Sequence, residues 1–267
     1  MFQKNSLAKY HLLRNDITKP HAVSRISCYL NIGSISIFQV VHDIWQHTTS
    51  KSRGVDKFVE EIIKWREIGY AHSFSFPDSY NRSESIPAWA RVYLDGCFNN
   101  SAKQSLTGGR GREDLTSTFF TLEQLESCNT SDKTWNAMQK YLNDTGELHN
   151  NARMTWGKTV VHWGKYKYKV DYLIRQLIYL NDRYALDGLS PPSYSGLLWC
   201  MGWGDKPATG SKISQKSASR YKRGPSSFDE GRRALLRSID AERITVASFF
   251  PSSRHNKKRR RKEETEV

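Results

Sequence analysis

The stretch HNNARMTWGKTVVHW, residues 149–163, places an unusual set of side chains on one side of a helix. At about 3.6 residues per turn, one face carries His149, Arg153, Trp156, Val160 and Trp163. Core helices usually fill such a face with Leu, Ile and Val, and an arginine is almost never fully buried without a partner. Spacing alone favours a core helix whose arginine reaches solvent and whose indoles act as bulk. The alternative is a helix that lines a ligand, with its arginine paired to a carboxylate in LNDRYALDG, residues 180–188.

The remainder of the chain has the periodicity of amphipathic helices. Ser34 is predicted to cap the run ISIFQVVHDIWQH, a second helix is predicted over 55–74, and others follow near Pro87 and in DKTWNAMQKYLNDTG, which Gly146 ends. Further helices are predicted in LEQLES, YKVDYLIRQLIYLNDRYALDG and FDEGRRALLRSIDAERI. No segment alternates with period two, so the sequence predicts an all-α fold.

Two segments lack this periodicity. Residues 99–118 are rich in Gly and Ser and predict a mobile surface insertion. The basic C-terminal tail is too charged to fold. The predicted organisation is therefore one helical domain, 1–245, followed by a disordered basic tail, 246–267.

The net charge of +14 favours a polyanionic partner such as a nucleic acid, although a merely soluble basic surface is the alternative. The tail motif KKRRRK resembles a nuclear localisation signal, so we expect a nuclear protein, with an organelle as the second possibility.

The four cysteines (28, 97, 128 and 200) show no CxxC pairing and predict reduced intracellular thiols without a metal site. No apolar run is long enough to cross a bilayer, and the N-terminus lacks a secretory signal. We expect a monomer with no membrane contact.

The order of the segments resembles the C-terminal, FAD-binding helical domain of the photolyase/cryptochrome family, and within it the class II cyclobutane pyrimidine dimer photolyases. The resemblance runs from about Tyr10 to Gly204. It is carried by VSRISCYLNIGSIS, FVEEIIKWREIGY, TWNAMQKYLNDTGELHNNARMTWGK and NDRYALDG followed by SYSGLLW. It implies an all-α, photolyase-type flavin-binding fold.

The resemblance also implies a set of FAD-binding residues. Around the cofactor phosphates it places Tyr10, Ser24, Arg25, Ile26 and Ser27, where hydroxyls and a helix N-terminus suit an anion. An ordinary capped turn is the alternative interpretation of that segment. Beside the flavin ring it places the charge pair of Arg153 and Asp187, with Asn181 facing N5. A helix C-terminus followed by a turn also explains LDG.

A second set of residues implied by the resemblance serves electron transfer and the binding of damaged DNA. Trp135, Trp156 and Trp163 match the electron-transfer tryptophans of class II, and the last two stand roughly 10 Å apart along one helical face. Residues that would line the lesion pocket are Glu61, Trp65, Asn150, Met154 and Trp199. The alternatives are three core indoles and, for Glu61, a solvated acidic helix face.

The function implied by the resemblance is light-dependent DNA repair by a deoxyribodipyrimidine photo-lyase, in which reduced FAD splits pyrimidine dimers by electron transfer. A cryptochrome-like blue-light sensor and a DNA-binding remnant without flavin are the rivals. The resemblance covers the family's C-terminal half, so we expect no antenna-binding domain in this sequence. Cys28 and Val23 replace a proline and a hydroxyl residue in the phosphate turn, and the tryptophan expected beyond Gly204 is missing. The four cysteines do not fit the family's iron–sulfur branch.

Overall fold

The computed structural model describes residues 7–47, 52–107, 119–203 and 225–249. Within these ranges the chain forms helices and turns and no β-strand, which confirms the all-α prediction. The Gly-rich 108–118 and the segment 204–224 lie outside the described residues, as does the tail from 250 with its KKRRRK motif.

Twelve α-helices are described. They are α1 (Tyr10–Leu13), α2 (Ser27–Asn31), α3 (Ile37–His47), α4 (Arg53–Val59), α5 (Arg66–Ser75), α6 (Ala88–Thr107), α7 (Leu122–Glu126), α8 (Lys133–Thr145), α9 (Asn150–Gly164), α10 (Val170–Tyr184), α11 (Pro191–Cys200) and α12 (Pro225–Phe249). A π-helical segment, Glu60–Trp65, joins α4 to α5, and short 3-10 turns cover Pro20–Ala22 and Ser83–Ser85.

Local signals explain several of these boundaries. Asp132 caps α8 by accepting from the backbone N–H groups of Thr134 and Trp135, and Gly146 ends the helix with φ +70°. Ser190 caps α11, whose first turn holds Pro191 and Pro192. The two prolines suit these positions, because a residue in the first turn needs no N–H to complete the helix.

Two predicted boundaries were wrong. Ser34 does not cap α3, because α3 begins only at Ile37, and the N–H of Ser34 donates to the carbonyl of Tyr29 in the turn that closes α2. The predicted insertion at 99–118 is helical over its first part, since α6 continues to Thr107. No glycine or proline occurs between Cys97 and Gly108 to stop that helix.

Buried apolar side chains form two separate cores. The larger is built mainly by α8–α11 with α6 and α12, and includes Leu173, Ile174 and Leu177, each at most 1% exposed. The smaller is built by α1–α4 around Phe58. Burying each such side chain contributes about 1.5–3 kcal/mol. The two cores form the two sides of the cavity described next.

Candidate functional site

A cavity of about 960 Å³ lies between the two cores. Its wall is made by α1, α2 and the α4–α5 junction on one side, and by α9, α11 and the turn after α10 on the other. Ligand pockets usually measure about 300–1,000 Å³, so this volume suits a large ligand such as a dinucleotide.

The predicted phosphate-binding residues all lie in the wall on the side of the smaller core. Ser24, Arg25, Ile26 and Ser27 line the cavity, and so does Tyr10, whose ring packs edge-on against Phe58 at 5.2 Å. The turn is held in an unusual conformation, because Arg25 has φ +56°, a value that non-glycine residues rarely adopt. A turn of this kind persists only when its surroundings fix it.

Glu147 fixes that turn from the opposite wall. The Arg25 guanidinium donates through Nε to both carboxylate oxygens of Glu147, at 2.8 and 3.1 Å. Burial raises the pKa of the Glu147 carboxyl, and the Arg25 charge opposes that shift. The ion pair therefore ties the phosphate turn to the larger core. Sequence reasoning missed Glu147, since nothing in ELHNNAR marks it as a partner of Arg25.

Arg153 and Asp187 form the predicted ion pair, with Nη2 and Oδ1 2.8 Å apart. The Arg153 side chain is 11% exposed, so its charge depends on this partner. Asn31 of the opposite wall donates to the carbonyls of Asp187 and Gly188, at 3.2 and 2.9 Å. The LDG segment therefore forms the turn after α10 and also supplies Asp187 to the charge pair, so the two interpretations of this segment are compatible. The role of this pair toward a flavin stays a prediction.

Asn181 is placed differently from its prediction. Its side chain is 1% exposed, does not line the cavity, and donates to Ser193 Oγ at 2.9 Å and to Asp182 Oδ1 at 3.0 Å. Ser193 does line the cavity, and its Oγ lies 3.4 Å from Nη1 of Arg153. In this arrangement Asn181 positions Ser193 and lies behind the wall.

The five residues predicted for the lesion pocket meet in the same cavity. Glu61, Trp65, Asn150, Met154 and Trp199 all line it, although they come from three different helical segments. The rings of Trp65 and Trp199 stand 5.4 Å apart at 65°. Trp203 extends this row, 5.8 Å from Trp199 and nearly perpendicular to it. Trp203 was not among the predicted site residues, although it follows Trp199 by only four positions.

Glu61 is already paired with cations inside the cavity. Its carboxylate forms ion pairs with Arg14 and with Lys57, the latter at 2.9 Å. Both cations line the cavity, and the Arg14 guanidinium lies 5.8 Å from the centre of the Tyr10 ring. The i,i+4 spacing of Lys57 and Glu61 could have revealed one of these pairs. Glu61 is therefore not part of a solvated acidic face.

The three predicted electron-transfer tryptophans lie behind the cavity wall. Trp135 and Trp156 are fully buried, and their rings are parallel within 8° at 6.3 Å. Trp163 is half-buried and its ring lies 5.4 Å from that of Trp135. Trp135 therefore stands between the two indoles of α9. The spacing of Trp156 and Trp163 suggested one direct electron-transfer step between them, whereas this arrangement offers two shorter steps through Trp135.

His149, which shares a predicted helix face with Arg153 and Trp156, stands in the cavity wall. Both of its ring nitrogens are buried and have no hydrogen-bond partner in the described chain. Burial lowers the pKa of His149 to about 4, and the nearby charges of Arg14 and Arg153 act in the same direction. A neutral imidazole with unused nitrogens beside a cavity can accept or donate a hydrogen bond to a polar ligand.

No group of three or more His, Cys, Asp or Glu side chains in the described ranges has the geometry to hold a metal ion, and the four cysteines are not in disulfides. No helix in the described part of the chain is both long and apolar enough to cross a membrane.

Comparison with known proteins gives relatives of one kind. Over 215 residues the chain is 31% identical to a deoxyribodipyrimidine photo-lyase of Oryza sativa subsp. japonica, which covers 78% of this chain and 39% of that protein. It is 31% identical over 208 residues to the protein of that name from Methanothermobacter thermautotrophicus, covering 77% of this chain and 41% of the relative. The match to the one from Potorous tridactylus is 30% over 204 residues, 74% of this chain and 35% of the relative. The chain thus spans about two fifths of the length of these curated relatives. No protein-family model matches it.

Proposed function

Because the chain belongs to the photolyase family, we propose that it binds FAD between its two cores and takes part in light-dependent repair of DNA that contains pyrimidine dimers. The observation that carries the proposal is the 960 Å³ cavity, in which side chains from distant parts of the sequence, from Tyr10 to Trp203, meet. Apart from Asn181, the residues that the family resemblance assigned to the cofactor and those that it assigned to the lesion line the same cavity.

The residues present fit the cofactor chemically. A dinucleotide needs cations for its pyrophosphate, and Arg14, Arg25, Lys57 and Arg153 line the wall. His149 adds two buried ring nitrogens without partners, which a polar ligand group would satisfy. FAD, when bound, would supply the light absorption and the electron that splits the dimer.

The chain's own residues would then bind and orient the cofactor and exclude water from it. Ser24 and Ser27 would donate to the phosphates, while the Arg25–Glu147 pair keeps their turn in place. Arg153 would place a positive charge beside the electron-rich part of the ligand, and Asp187 fixes its direction. The apolar surroundings would exclude water from the reacting groups.

The substrate end of the cavity would receive a pyrimidine dimer that has left the duplex. The rings of Trp65 and Trp199 offer stacking surfaces to flipped bases, which suits a site that accepts pyrimidines of either kind. Glu61 would accept a hydrogen bond from a base edge, with its ion pairs to Arg14 and Lys57 fixing the position of its carboxylate. Asn150 and Met154 complete this part of the wall.

The test starts with the purified chain and its absorption spectrum. We expect a bound flavin band and, under blue light with a reductant, the loss of dimers from a dimer-containing oligonucleotide; a dark sample is the control. A colourless protein that does not take up added FAD would favour the DNA-binding remnant. Flavin binding without any loss of dimers would contradict repair and favour a cryptochrome-like sensor. A matched control is Trp45→Phe, because Trp45 is 67% exposed on α3 and does not line the cavity.

Three further expectations stay predictions. They are a monomeric state, one helical domain over 1–245 with a basic tail after it, and nuclear localisation by the KKRRRK motif. Fusing the tail to a fluorescent reporter tests the last one, and a reporter that stays outside the nucleus would contradict it.

A further inference from the structure

The indole N–H groups of the two buried tryptophans are held by acceptors that are not bases. Trp156 Nε1 donates to Oε1 of Gln139 at 2.7 Å, and Trp135 Nε1 donates to the backbone carbonyl of Trp156 at 3.1 Å. Gln139 is fully buried. An amide oxygen accepts hydrogen bonds but does not take up a proton near neutral pH.

The orientation of the Gln139 amide follows from its neighbours. An indole N–H is a donor only, so the oxygen of Gln139 must face Trp156. Its Nε2 then donates to Oδ1 of Asn143 at 2.7 Å, and Nδ2 of Asn143 donates to the carbonyl of Glu126 at 2.9 Å. The four groups form one directional chain of hydrogen bonds, and none of them is a base that could take up the indole proton.

We propose that Gln139 is a positioning residue for electron transfer, which holds the indole proton of Trp156 without being able to remove it. The proposal rests on the proposed function, because it concerns the path by which an electron would reach a flavin in the cavity. It assigns a role to a residue of α8 that touches neither the cavity nor the DNA.

The consequence for the reaction is a separation of electron and proton. When Trp156 gives one electron to the photoexcited flavin, the indole is left as a radical cation that keeps its proton. One electron from Trp135 restores Trp156, and one from Trp163 restores Trp135. Trp163 is half-buried, and no described residue accepts a hydrogen bond from its indole nitrogen. Its radical cation can therefore release the Nε1 proton to water, so that the cofactor has gained one electron and the solvent one proton.

Keeping the proton matters because its loss would stop the charge at an inner position. A tryptophan radical that has lost its proton must regain one when it is reduced, and a buried amide has none to give. With Gln139 as acceptor, the charge reaches the outer indole before any proton leaves. The same logic applies to Trp135, whose acceptor is a backbone carbonyl.

Two substitutions at one position separate this role from a packing role. Gln139→Glu is nearly isosteric and keeps the acceptor, but its carboxylate can take the proton once it is ionised. Gln139→Met fills similar space and removes the acceptor. If Gln139 only supported packing and hydrogen bonding, the methionine variant would be the more damaged of the two. We expect instead that Gln139→Glu slows flavin photoreduction more than Gln139→Met does.

The first measurement is transient absorption of the FAD-loaded protein. We expect Gln139→Glu, above the pH at which its buried carboxyl ionises, to slow photoreduction by on the order of tenfold and to form a neutral radical on Trp156. Gln139→Met should stay near the wild-type rate with a radical cation. The control is Gln176→Glu, which puts a carboxyl at another buried glutamine near Trp163, where proton loss is expected in any case. Equal rates for both Gln139 variants, or a slower methionine variant, would overturn the proposal.

A flavin-free measurement keeps this inference apart from the proposed function. In the NMR spectrum of the protein without FAD, the Trp156 indole proton is assigned by its absence in Trp156→Phe. It should move downfield in ionised Gln139→Glu and upfield in Gln139→Met. A signal that neither variant moves would overturn the role of Gln139, whether or not the protein binds flavin. Failure to bind FAD would instead count against the function proposed for the cavity.

Discussion

Six of the eight tryptophans fall into two groups of three that differ in their position relative to the cavity. The inner group, Trp135, Trp156 and Trp163, belongs to the larger core. The cavity group, Trp65, Trp199 and Trp203, lines the space between the cores with its rings roughly perpendicular to one another. One group lies behind the wall and the other forms it.

The difference shows what an indole is suited for in each place. In the inner group Trp135 and Trp156 are fully buried and their N–H groups have fixed acceptors, so a charge could move through them without a large rearrangement. In the cavity group, Trp65 and Trp199 are half-buried and leave ring surface for a ligand to stack on. The same residue type therefore predicts charge transfer in one place and recognition in the other.

The largest expected difference between the groups is in stability. Trp135→Ala removes a fully buried ring and its hydrogen bond, and should lower the free energy of unfolding by about 3–5 kcal/mol. Trp199→Ala removes a half-buried ring from the edge of an open cavity and should cost about 1–2 kcal/mol. Urea denaturation of both variants measures this. Equal costs would show that the two groups do not differ in packing.

The second prediction concerns DNA. Trp199→Ala should weaken binding of a dimer-containing duplex by about 1–3 kcal/mol, which is the usual contribution of one base-stacking aromatic ring. Undamaged DNA, bound through phosphates, should be affected much less. Fluorescence anisotropy with both duplexes measures the ratio. The matched variant from the inner group is Trp163→Phe, and a comparable loss of dimer binding there would break the division of roles.

The third prediction concerns photoreduction. Trp156→Phe should slow the photoreduction of bound flavin by about tenfold or more, equivalent to about 1.4 kcal/mol in the barrier, because phenylalanine is much harder to oxidise. FAD binding should be retained, since Trp156 does not line the cavity. The control from the cavity group is Trp65→Phe. Unchanged photoreduction in Trp156→Phe would show that this indole only packs.

The sequence predicted the elements of the site better than its connections. Helical periodicity was enough for the all-α class, and the family resemblance placed Arg153 and Asp187 in one ion pair, which the structure contains. It could not predict that Glu147 meets Arg25, since 122 residues separate them and neither lies in a recognisable pattern. Pairings of this kind depend on how two cores pack, which periodicity does not encode.

Residues one step removed from the ligand were the hardest to predict. Asn181 was expected to face the cofactor but is buried against Ser193, because the turn after α10 brings α11 between it and the cavity. Gln139 gave no signal at all, since a glutamine on a helix is ordinarily a surface residue. Only the position of the Trp156 indole reveals what it does.

The smallest predicted effect concerns His149, which stands at the start of α9 in the wall that separates the two groups. Burial lowers its pKa to about 4, whereas the imidazole of an unfolded chain has a pKa of about 6.5. Between these values the unfolded chain binds a proton that the folded chain does not, so stability falls as the pH is lowered through this range. We expect the free energy of unfolding of His149→Gln to decrease by about 1 kcal/mol less than that of the wild type over this pH range. The effect is smaller than for a fully enclosed imidazole, because His149 lines an open cavity.

The pH profile is measured by urea denaturation between neutral pH and the acid transition. Burial also lowers the pKa of His72 and of His162, so the wild-type slope contains their contributions and the variant must be compared with it directly. The matched control is His42→Gln on the exposed side of α3, which should leave the profile as it is. If bound FAD satisfies the ring nitrogens of His149, the difference between variant and wild type should grow when the cofactor is present, because the ligand would bind the neutral ring and hold its proton off further. A difference that FAD leaves unchanged would place His149 with the packing residues of the wall.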